Sequence, residues 1–363
     1  MKSGNVVRGE FPKGCKLCVK GAKLVFFATG LCDRDCWYCP ISKDRKGRDV
    51  VYANERPVRT LGDVLEEARR MSAEGASVTG GDPTKVPDRV RRVVKALKEE
   101  FGPDFHVHVY VPAESVEKGV LREFVKAGVD EVRVHPSFDP STDRGAARAL
   151  ASLDVDVGFE APAIPGEEKA LERVILIADE AGLDFVNVNE LEFTESNRDE
   201  LLKRGFQRVD DDLSDAVKGS RECAMKVFDS ISDSVDISLN FCPSSVKDSV
   251  QFRNRLKRTA LNVAEPYEVV DEDDGLLVRG VIEVVDGRPE EVVRVFTELL
   301  EVPEEYIEVD GNRIHVHPLV LTDVADEGLI EDIMEASGCR FRAYLERRFP
   351  TWRGTVVEKI DLG

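Results

Sequence analysis

Short apolar runs with a two-residue period alternate with amphipathic helical stretches along most of the chain. Two of the helical patterns are LGDVLEEARRMSAEG (61–75) and PDRVRRVVKALKEEF (87–101). Such alternation predicts βαβ units and a parallel sheet, so we expect an α/β fold with a partial parallel (β/α) barrel over residues 23–245. The predicted strands, about six or seven in the barrel, are residues 23–30, 76–80, 105–112, 130–136, 154–162, 184–192 and 234–241.

The pattern changes after the last of these strands. Residues 246–262 read as a basic connecting helix, whose start has Ser245 and Asp248 in capping-box spacing. Residues 263–363 mix strand-type runs with two helical patterns and predict a smaller C-terminal α+β domain, a candidate for substrate recognition. Within it, the DGN stretch at 310–312 predicts a hairpin turn. The basic face of the connecting helix carries Lys247, Arg255 and Arg258.

Length and composition limit the class of protein. A chain of 363 residues with 42% hydrophobic content can bury one large core and a smaller one. No run approaches the roughly 20 apolar residues of a membrane span, and the N-terminus lacks the apolar segment of a signal peptide, so we expect a cytoplasmic protein without a membrane partner. The net charge of −19 disfavours nucleic acid only weakly, because proteins from hot or salty cytosols are also rich in acidic residues.

Cysteines supply the first chemical signal. Five of the eight lie between Cys15 and Cys39, and in a cytoplasmic protein such a cluster favours metal ligation over disulfides. The stretch GLCDRDCWYCPIS (30–42) follows the first predicted strand and spaces three thiols as C-x3-C-x2-C. A structural zinc site normally uses four ligands in two separated pairs, although a distorted zinc knuckle is an alternative. A 4Fe-4S cluster held by Cys32, Cys36 and Cys39 leaves one iron open to a small chelating molecule, with Tyr38 beside it.

This cysteine loop resembles that of the radical SAM superfamily. The turn VTGGDP (78–83) is similar to the Gly-Gly-Glu turn of that family, with Asp82 in place of the commoner glutamate. The resemblance implies that Gly80, Gly81 and Asp82 bind the methionine part of S-adenosylmethionine. It also implies a 4Fe-4S cluster, and an electron donor of the ferredoxin or flavodoxin type.

The overall resemblance is to an archaeal branch of this superfamily that is related to pyruvate formate-lyase activating enzymes. It covers roughly residues 11–262 and fixes the cofactor chemistry better than the substrate. The stretches that carry it are CKLCVKGAKLVFFATGLCDRDCWYCPIS, VYANERPV, VGFEAPAIPGEE, NVNELEFTESN and NFCPSSVKDSVQFRNRLKR.

Three further cysteines are candidates for an auxiliary iron-sulfur cluster. Cys15 and Cys18 lie in an N-terminal arm, residues 1–22, and Cys242 follows the last barrel strand. In parallel barrels the C-terminal strand ends carry the site, so Cys242 and the cysteine loop should share one mouth. The arm must fold back to reach that mouth, because a strand spans roughly 20 Å. Wyosine-forming tRNA enzymes use upstream cysteines in this way, while zinc or free or crosslinking thiols are the alternatives.

Several polar residues lie where a simple core needs apolar ones. His135, Glu160, Asn189 and Glu190 come late in their strands and are candidates for cofactor or substrate contacts. His106 comes early in its strand, which favours a structural role. For each of these late residues, a purely structural role is an alternative to a role in binding.

The resemblance implies an enzyme that cleaves S-adenosylmethionine to a 5′-deoxyadenosyl radical, which then abstracts hydrogen from a substrate. The substrate is a small molecule or tRNA in our main interpretation, and the basic helix favours an anionic one. A glycyl-radical-enzyme activase is the alternative, and a non-catalytic iron-sulfur electron carrier is a third class. The sequence defines neither the product nor the oligomeric state.

Overall fold

The alternating runs form a ten-stranded sheet in the computed structural model, which describes residues 1, 4–116, 118–210, 214–231 and 233–363. This sheet belongs to the first of two compact units, Met1–Asn254 and Arg255–Gly363. Its strands are β1 (Val6–Arg8), β2 (Lys23–Thr29), β3 (Tyr52–Ala53), β4 (Arg56–Pro57), β5 (Gly75–Gly80), β6 (His106–Pro112), β7 (Glu131–His135), β8 (Asp156–Ala163), β9 (Phe185–Glu190) and β10 (Ser238–Cys242).

Seven of these strands form a continuous parallel run, in agreement with the predicted number. The strand order is β1-β10-β9-β8-β7-β6-β5-β2-β3-β4, and every pair from β10 to β2 is parallel. β1 and β3 add antiparallel to the two outer members of that run. The sheet ends at β1 and β4 instead of closing on itself, which gives a partial barrel.

Helices connect the parallel strands and cover their outer face. Apolar strand residues such as Leu24, Val78 and Val109 pack against Val94 and Leu97 in one continuous core. Polar residues such as His108, Arg133 and Asn187 occupy alternate positions in these strands, on the face opposite to this core. The helices of the first unit are α1 (Lys13–Val19), α2 (Leu61–Arg70), α3 (Pro87–Phe101), α4 (Lys118–Ala127), α5 (Pro140–Leu150), α6 (Glu168–Glu180), α7 (Arg198–Lys203) and α8 (Ser220–Ile231).

The segment after β10 differs from the predicted capped helix. Residues 246–252 form a π-helical stretch, and α9 (Arg253–Val263) continues it. Ser245 already has helical dihedral angles and makes no capping hydrogen bond, so the predicted capping box is wrong. The Glu190 carboxylate accepts from Ser244 N at 2.9 Å and thus satisfies an N-terminal donor from outside the segment.

The strands of the second unit are β11 (Val269–Val270), β12 (Leu277–Asp286), β13 (Ile307–Asp310), β14 (Arg313–Val316), β15 (Arg340–Arg348) and β16 (Val356–Asp361). They form an antiparallel sheet with the order β13-β14-β12-β15-β16, to which β11 adds beside β12. The predicted hairpin turn is present, with Gly311 at φ 61°. Three helices occur where the sequence predicted two, because the strand ends at Val316 and Pro318 starts a helix. These helices are α10 (Pro289–Arg294), α11 (Pro318–Asp326) and α12 (Ile330–Ser337).

Within the described part of the chain, none of the helices combines the length and the apolar character that crossing a bilayer requires.

Candidate functional site

A cavity of about 490 Å³ lies against the parallel strands of the first unit. All seven of these strands contribute to its wall, so the sheet curves around it as a partial barrel does. The wall also includes the six cysteines singled out from the sequence: three from the loop after β2, two from α1 and one from β10. The strand residues in the wall include Val25, Thr79, Tyr110, Arg133, Glu160, Asn187 and Cys242.

The loop with the C-x3-C-x2-C motif begins at a glycine that no other residue can replace without rearrangement. Gly30 N donates to Arg48 O at 2.8 Å, and a Cβ on Gly30 would lie 1.7 Å from Arg45 O. The missing side chain therefore lets the loop fold back on itself. The three thiols are partly buried, and burial raises the pKa of Cys32 and Cys36.

The spacing of these thiols distinguishes between a cluster and a zinc ion. Within the described ranges, only His106, His108 and Glu131 bring three metal-ligating atoms within 4.8 Å of one another. A tetrahedral zinc ion with bonds of about 2.3 Å needs its thiolates about 3.8 Å apart. The three loop thiols therefore do not have the spacing of a single-zinc site, and they remain compatible with an iron-sulfur cluster, in which each thiolate binds a different iron.

Two glycines bring the end of β5 against the start of the cysteine loop. Gly81 N donates to Thr29 O at 2.8 Å. A Cβ on Gly80 would lie 2.2 Å from Thr29 O, and one on Gly81 would lie 2.3 Å from Leu31 O. The backbones approach this closely only because neither residue has a side chain. Both glycines line the cavity, beside the cysteines, as the resemblance requires.

The third residue of this turn lies behind the cavity wall. Asp82 is fully buried and caps the short 3-10 helix at residues 83–85: its Oδ1 accepts from Thr84 N at 2.9 Å and from Thr84 Oγ1 at 2.7 Å. Its Oδ2 is buried without a hydrogen-bond partner among the residues described. A contact between Asp82 and the methionine ammonium group would therefore have to use Oδ2.

A histidine fixes the aromatic residue of the cysteine loop. His135 Nδ1 lies 2.9 Å from Glu160 O, and Tyr38 Oη lies 3.0 Å from His135 Nε2. A carbonyl oxygen only accepts, so Nδ1 carries the proton and Nε2 accepts from the tyrosine hydroxyl. His135 therefore positions Tyr38 at the cavity wall. Burial lowers the pKa of His135 to about 4, and Arg34 adds to the effect.

We expect the stability of the protein to fall as the pH is lowered from about 6.5 towards 4, in part through His135. In this range the unfolded imidazole, with its ordinary pKa of 6.5, binds a proton that the folded one does not. The difference corresponds to about 3 kcal/mol at most. Chemical denaturation of the wild type and of His135→Gln at pH 7 and pH 4.5 tests this, with His317→Gln as the control. An equal pH dependence in wild type and His135→Gln would contradict it.

The cysteine loop is also held from the side of β9. Asn197 Nδ2 donates to Tyr38 O at 3.1 Å, and Ser196 Oγ donates to Cys39 O at 3.3 Å. Trp37 stacks on Phe206 with ring centroids 5.7 Å apart and an angle of 7°. The sequence gives no sign of these contacts, since their partners lie more than 150 residues away and share no spacing motif.

A set of charged and amide groups around Glu160 lines the part of the cavity next to the arm, which we call its lower part or floor. Arg133 Nη1 lies 3.0 Å from Glu160 Oε2. The side-chain amides of Asn187 and Asn189 both donate to Glu160 Oε1 at 2.6 Å. Glu160 is thus held by three donors, and its role as a cofactor contact stays a prediction. The arrangement is rigid, because every partner is itself on a strand.

The arm reaches this part of the cavity. Cys15 and Cys18 lie on α1, and Arg133 Nη2 approaches Cys15 Sγ at 3.2 Å. Burial raises the pKa of both thiols, and it raises that of Cys242 to about 11. Cys18 lies near enough to both Cys15 and Cys242 to raise their pKa values further. Cys15, Cys18 and Cys242 all line the same cavity, and their role as ligands of an auxiliary cluster stays a prediction.

Two of the other predicted residues have structural partners. Glu190 binds the backbone of Ser244, as described above, and a cofactor contact for it is still a prediction. Lys247, placed by the sequence on a basic face, lines the cavity and pairs with Glu192 at 3.0 Å between Nζ and Oε1.

Comparisons with known proteins agree with this geometry. A family model described as the radical SAM superfamily matches residues 27–150, and one described as a domain of unknown function (DUF8061) matches residues 275–362. The chain is 40% identical over 362 residues to a Methanocaldococcus jannaschii protein named as a candidate glycyl-radical enzyme activating enzyme, a match that covers 97% of this chain and 93% of the relative. The chain therefore belongs to the radical SAM superfamily, in the branch related to pyruvate formate-lyase activating enzymes. It is an enzyme whose cofactors are a 4Fe-4S cluster and S-adenosylmethionine.

Solved structures of this superfamily are more distant. SuiB of Streptococcus suis bound to S-adenosylmethionine aligns with a TM-score of 0.44 and 16% identity, over 61% of this chain and 50% of SuiB, so this chain spans about half the length of SuiB. HemN of Escherichia coli aligns with a TM-score of 0.33 and 12% identity, over 90% of this chain and 93% of HemN. Likenesses at this level do not indicate a substrate.

Proposed function

We propose that this enzyme abstracts a hydrogen atom from a small polar molecule bound in the cavity, and that a second iron-sulfur cluster lies at the lower end of the same cavity. The observation that carries the proposal is the convergence of two cysteine triads on one cavity. An electron donor of the ferredoxin or flavodoxin type would supply the reducing electron.

The residues around the cavity would hold the cluster and orient the nucleotide. Cys32, Cys36 and Cys39 would hold the first cluster, and the Gly80–Gly81 backbone would hold the methionine part of the nucleotide. When bound, the cluster and S-adenosylmethionine supply a 5′-deoxyadenosyl radical by one-electron reductive cleavage. Away from the charged and amide groups around Glu160 the cavity wall is mostly apolar, and with a substrate bound such a wall would help to keep water from a reactive radical.

The substrate would be anionic. Lys247 lines the cavity, and its ammonium group pairs with Glu192. Burial alone would lower the pKa of this amine, but Glu192 and the nearby Cys242 keep that pKa raised. Arg133 adds a second cation on the floor. A carboxylate or phosphate group entering the cavity would therefore meet a charged partner in a region of low polarity, where such contacts are strong.

The second cluster is tested by replacing its three proposed ligands. We expect Cys15→Ala/Cys18→Ala/Cys242→Ala to lose about four irons per chain and to keep the other cluster, since cubane clusters are held by cysteine thiolates. Iron analysis and electron paramagnetic resonance of the reduced protein, with and without S-adenosylmethionine, measure both. A variant with unchanged iron content would show that these thiols bind no cluster.

Activation of a glycyl-radical enzyme is the second candidate, favoured by the name of the Methanocaldococcus jannaschii relative. In that case the hydrogen donor is a glycine in a partner protein, and a loop of the partner has to enter the cavity. The two functions are separated by incubating the reduced enzyme with S-adenosylmethionine and either anionic metabolite fractions or glycyl-radical enzymes. Substrate-dependent release of 5′-deoxyadenosine with small molecules supports the first proposal, and a glycyl radical signal in the partner protein supports the second.

A further inference from the structure

A second polar cluster lies at the opposite ends of the strands from the cysteine loop. His106 is the first residue of β6, Glu131 is the first residue of β7, and His108 lies beside Glu131 in the parallel ladder. Their exposed fractions are 2%, 0% and 0%, and none of them lines the cavity described above. Side chains with this chemistry are rarely buried without partners.

The donor atoms of this cluster converge. His106 Nε2 lies 3.4 Å from Glu131 Oε2, and His108 Nδ1 lies 3.8 Å from Glu131 Oε1. One ligand atom from each residue falls within 4.8 Å of the other two. A tetrahedral ion with bonds of about 2.0–2.1 Å places its ligands about 3.4 Å apart. The spacing therefore suits a single ion, in contrast to that of the cysteine triads.

Three of the four ring nitrogens of the two histidines lack a hydrogen-bond partner among the described residues. Neither ring nitrogen of His108 has a hydrogen-bond partner in the described structure, nor does His106 Nε2. The other nitrogen of His106, Nδ1, lies 2.8 Å from Lys23 Nζ, which leaves Nε2 directed at the cluster. A buried imidazole without hydrogen bonds, as in His108, is costly, and a bound ion would give these nitrogens a partner.

The carboxylate is oriented by fixed donors. Gly14 N donates to Glu131 Oε2 at 3.0 Å, and Arg133 Nε donates to Glu131 Oε1. Such outer contacts are typical of metal-binding carboxylates. Lys23 and Arg133 also lie close to the cluster, where Glu131 and Glu160 offset their charge.

We propose that His106, His108 and Glu131 bind one divalent metal ion of the zinc type. Two imidazoles and a carboxylate are the ligand set that zinc and similar borderline ions prefer. The site is distinct from both cysteine triads and does not depend on the reaction proposed above.

The site would fix the arm beneath the cavity. A Cβ on Gly14 would lie 2.6 Å from His108 Nδ1 and 2.8 Å from Glu131 Oε1, so α1 packs directly onto the cluster. Cys15 follows Gly14 on that helix and reaches the cavity. The ion would thus anchor the segment that carries the two arm cysteines.

Cobalt(II) supplied during expression is the probe. We expect one cobalt per chain whose absorption shows d–d bands without thiolate-to-metal charge transfer, because the ligands are nitrogen and oxygen. His108→Gln and Glu131→Gln should lower the bound cobalt at least about tenfold. His315→Gln, which changes a buried histidine of the second unit, is the matched control and should retain it.

Several results would overturn the proposal. The first is a wild type in which all the cobalt is bound by thiolates. The second is a wild type that binds no cobalt through nitrogen and oxygen, which would mean that water occupies the space between His106, His108 and Glu131. The third is a His108→Gln variant that binds as much nitrogen-coordinated cobalt as the wild type. If the variants do not fold, X-ray absorption spectroscopy of the zinc-loaded wild type identifies the atoms bound to zinc. A spectrum in which all the zinc is bound by sulfur would contradict the proposed site. The outcome of these cobalt and zinc measurements is not expected to depend on the iron content of the protein or on its reaction with S-adenosylmethionine.

Discussion

Replacing Cys32, Cys36 and Cys39 together with alanine is expected to remove about four irons per chain and to abolish release of 5′-deoxyadenosine. The loop offers no other thiol, so neither cluster nor nucleotide has an anchor there. Iron analysis, the electron paramagnetic resonance spectrum with S-adenosylmethionine and product chromatography measure the loss. The iron attributed to the other triad should remain.

The matched control for this variant is Cys223→Ala/Cys339→Ala. Both thiols are buried, with exposed fractions of 2% and 3%, and neither lines the cavity. The control should therefore keep its iron and its activity, and circular dichroism should show that both variants are folded. A triple variant that kept the S-adenosylmethionine-dependent spectrum would mean that other residues hold the first cluster.

Gly81→Ala is expected to weaken S-adenosylmethionine binding by about tenfold or more, which is about 1.4 kcal/mol, and to lower the melting temperature. The added methyl group would lie 2.3 Å from Leu31 O and 2.9 Å from Gly30 O, both backbone atoms. The two strand ends must separate to admit it, and the proposed nucleotide-binding backbone moves with them. Isothermal titration with S-adenosylmethionine under anaerobic conditions gives the affinity.

Gly145→Ala is the control for this steric argument. Gly145 lies in α5, and a Cβ there would meet no atom within 4 Å. Alanine favours the helix more than glycine does, so the melting temperature should rise or stay the same. If Gly81→Ala lost stability but bound S-adenosylmethionine as tightly as wild type, the turn would be structural and the nucleotide would bind elsewhere.

The alternation of strands and helices predicted the parallel sheet correctly, because strands connected by helical crossovers pack side by side as parallel neighbours. The same local reasoning failed at two boundaries. Ser245 lies inside a helical segment because Glu190, from a distant strand, binds the start of that segment. Pro318 starts a third helix in the second unit, where the sequence predicted two, since its ring suits the first turn of a helix.

The sequence by itself determined the chemistry of the cysteine loop, because Cys32, Cys36 and Cys39 are close in the chain and local spacing is enough to indicate a cluster. The tertiary structure decided which distant groups face one another. It brings Cys15 and Cys18 into the cavity of the loop cysteines and gathers His106, His108 and Glu131 below it. These groupings of distant residues depend on how whole strands and helices pack, and the spacing of residues along the chain does not indicate them.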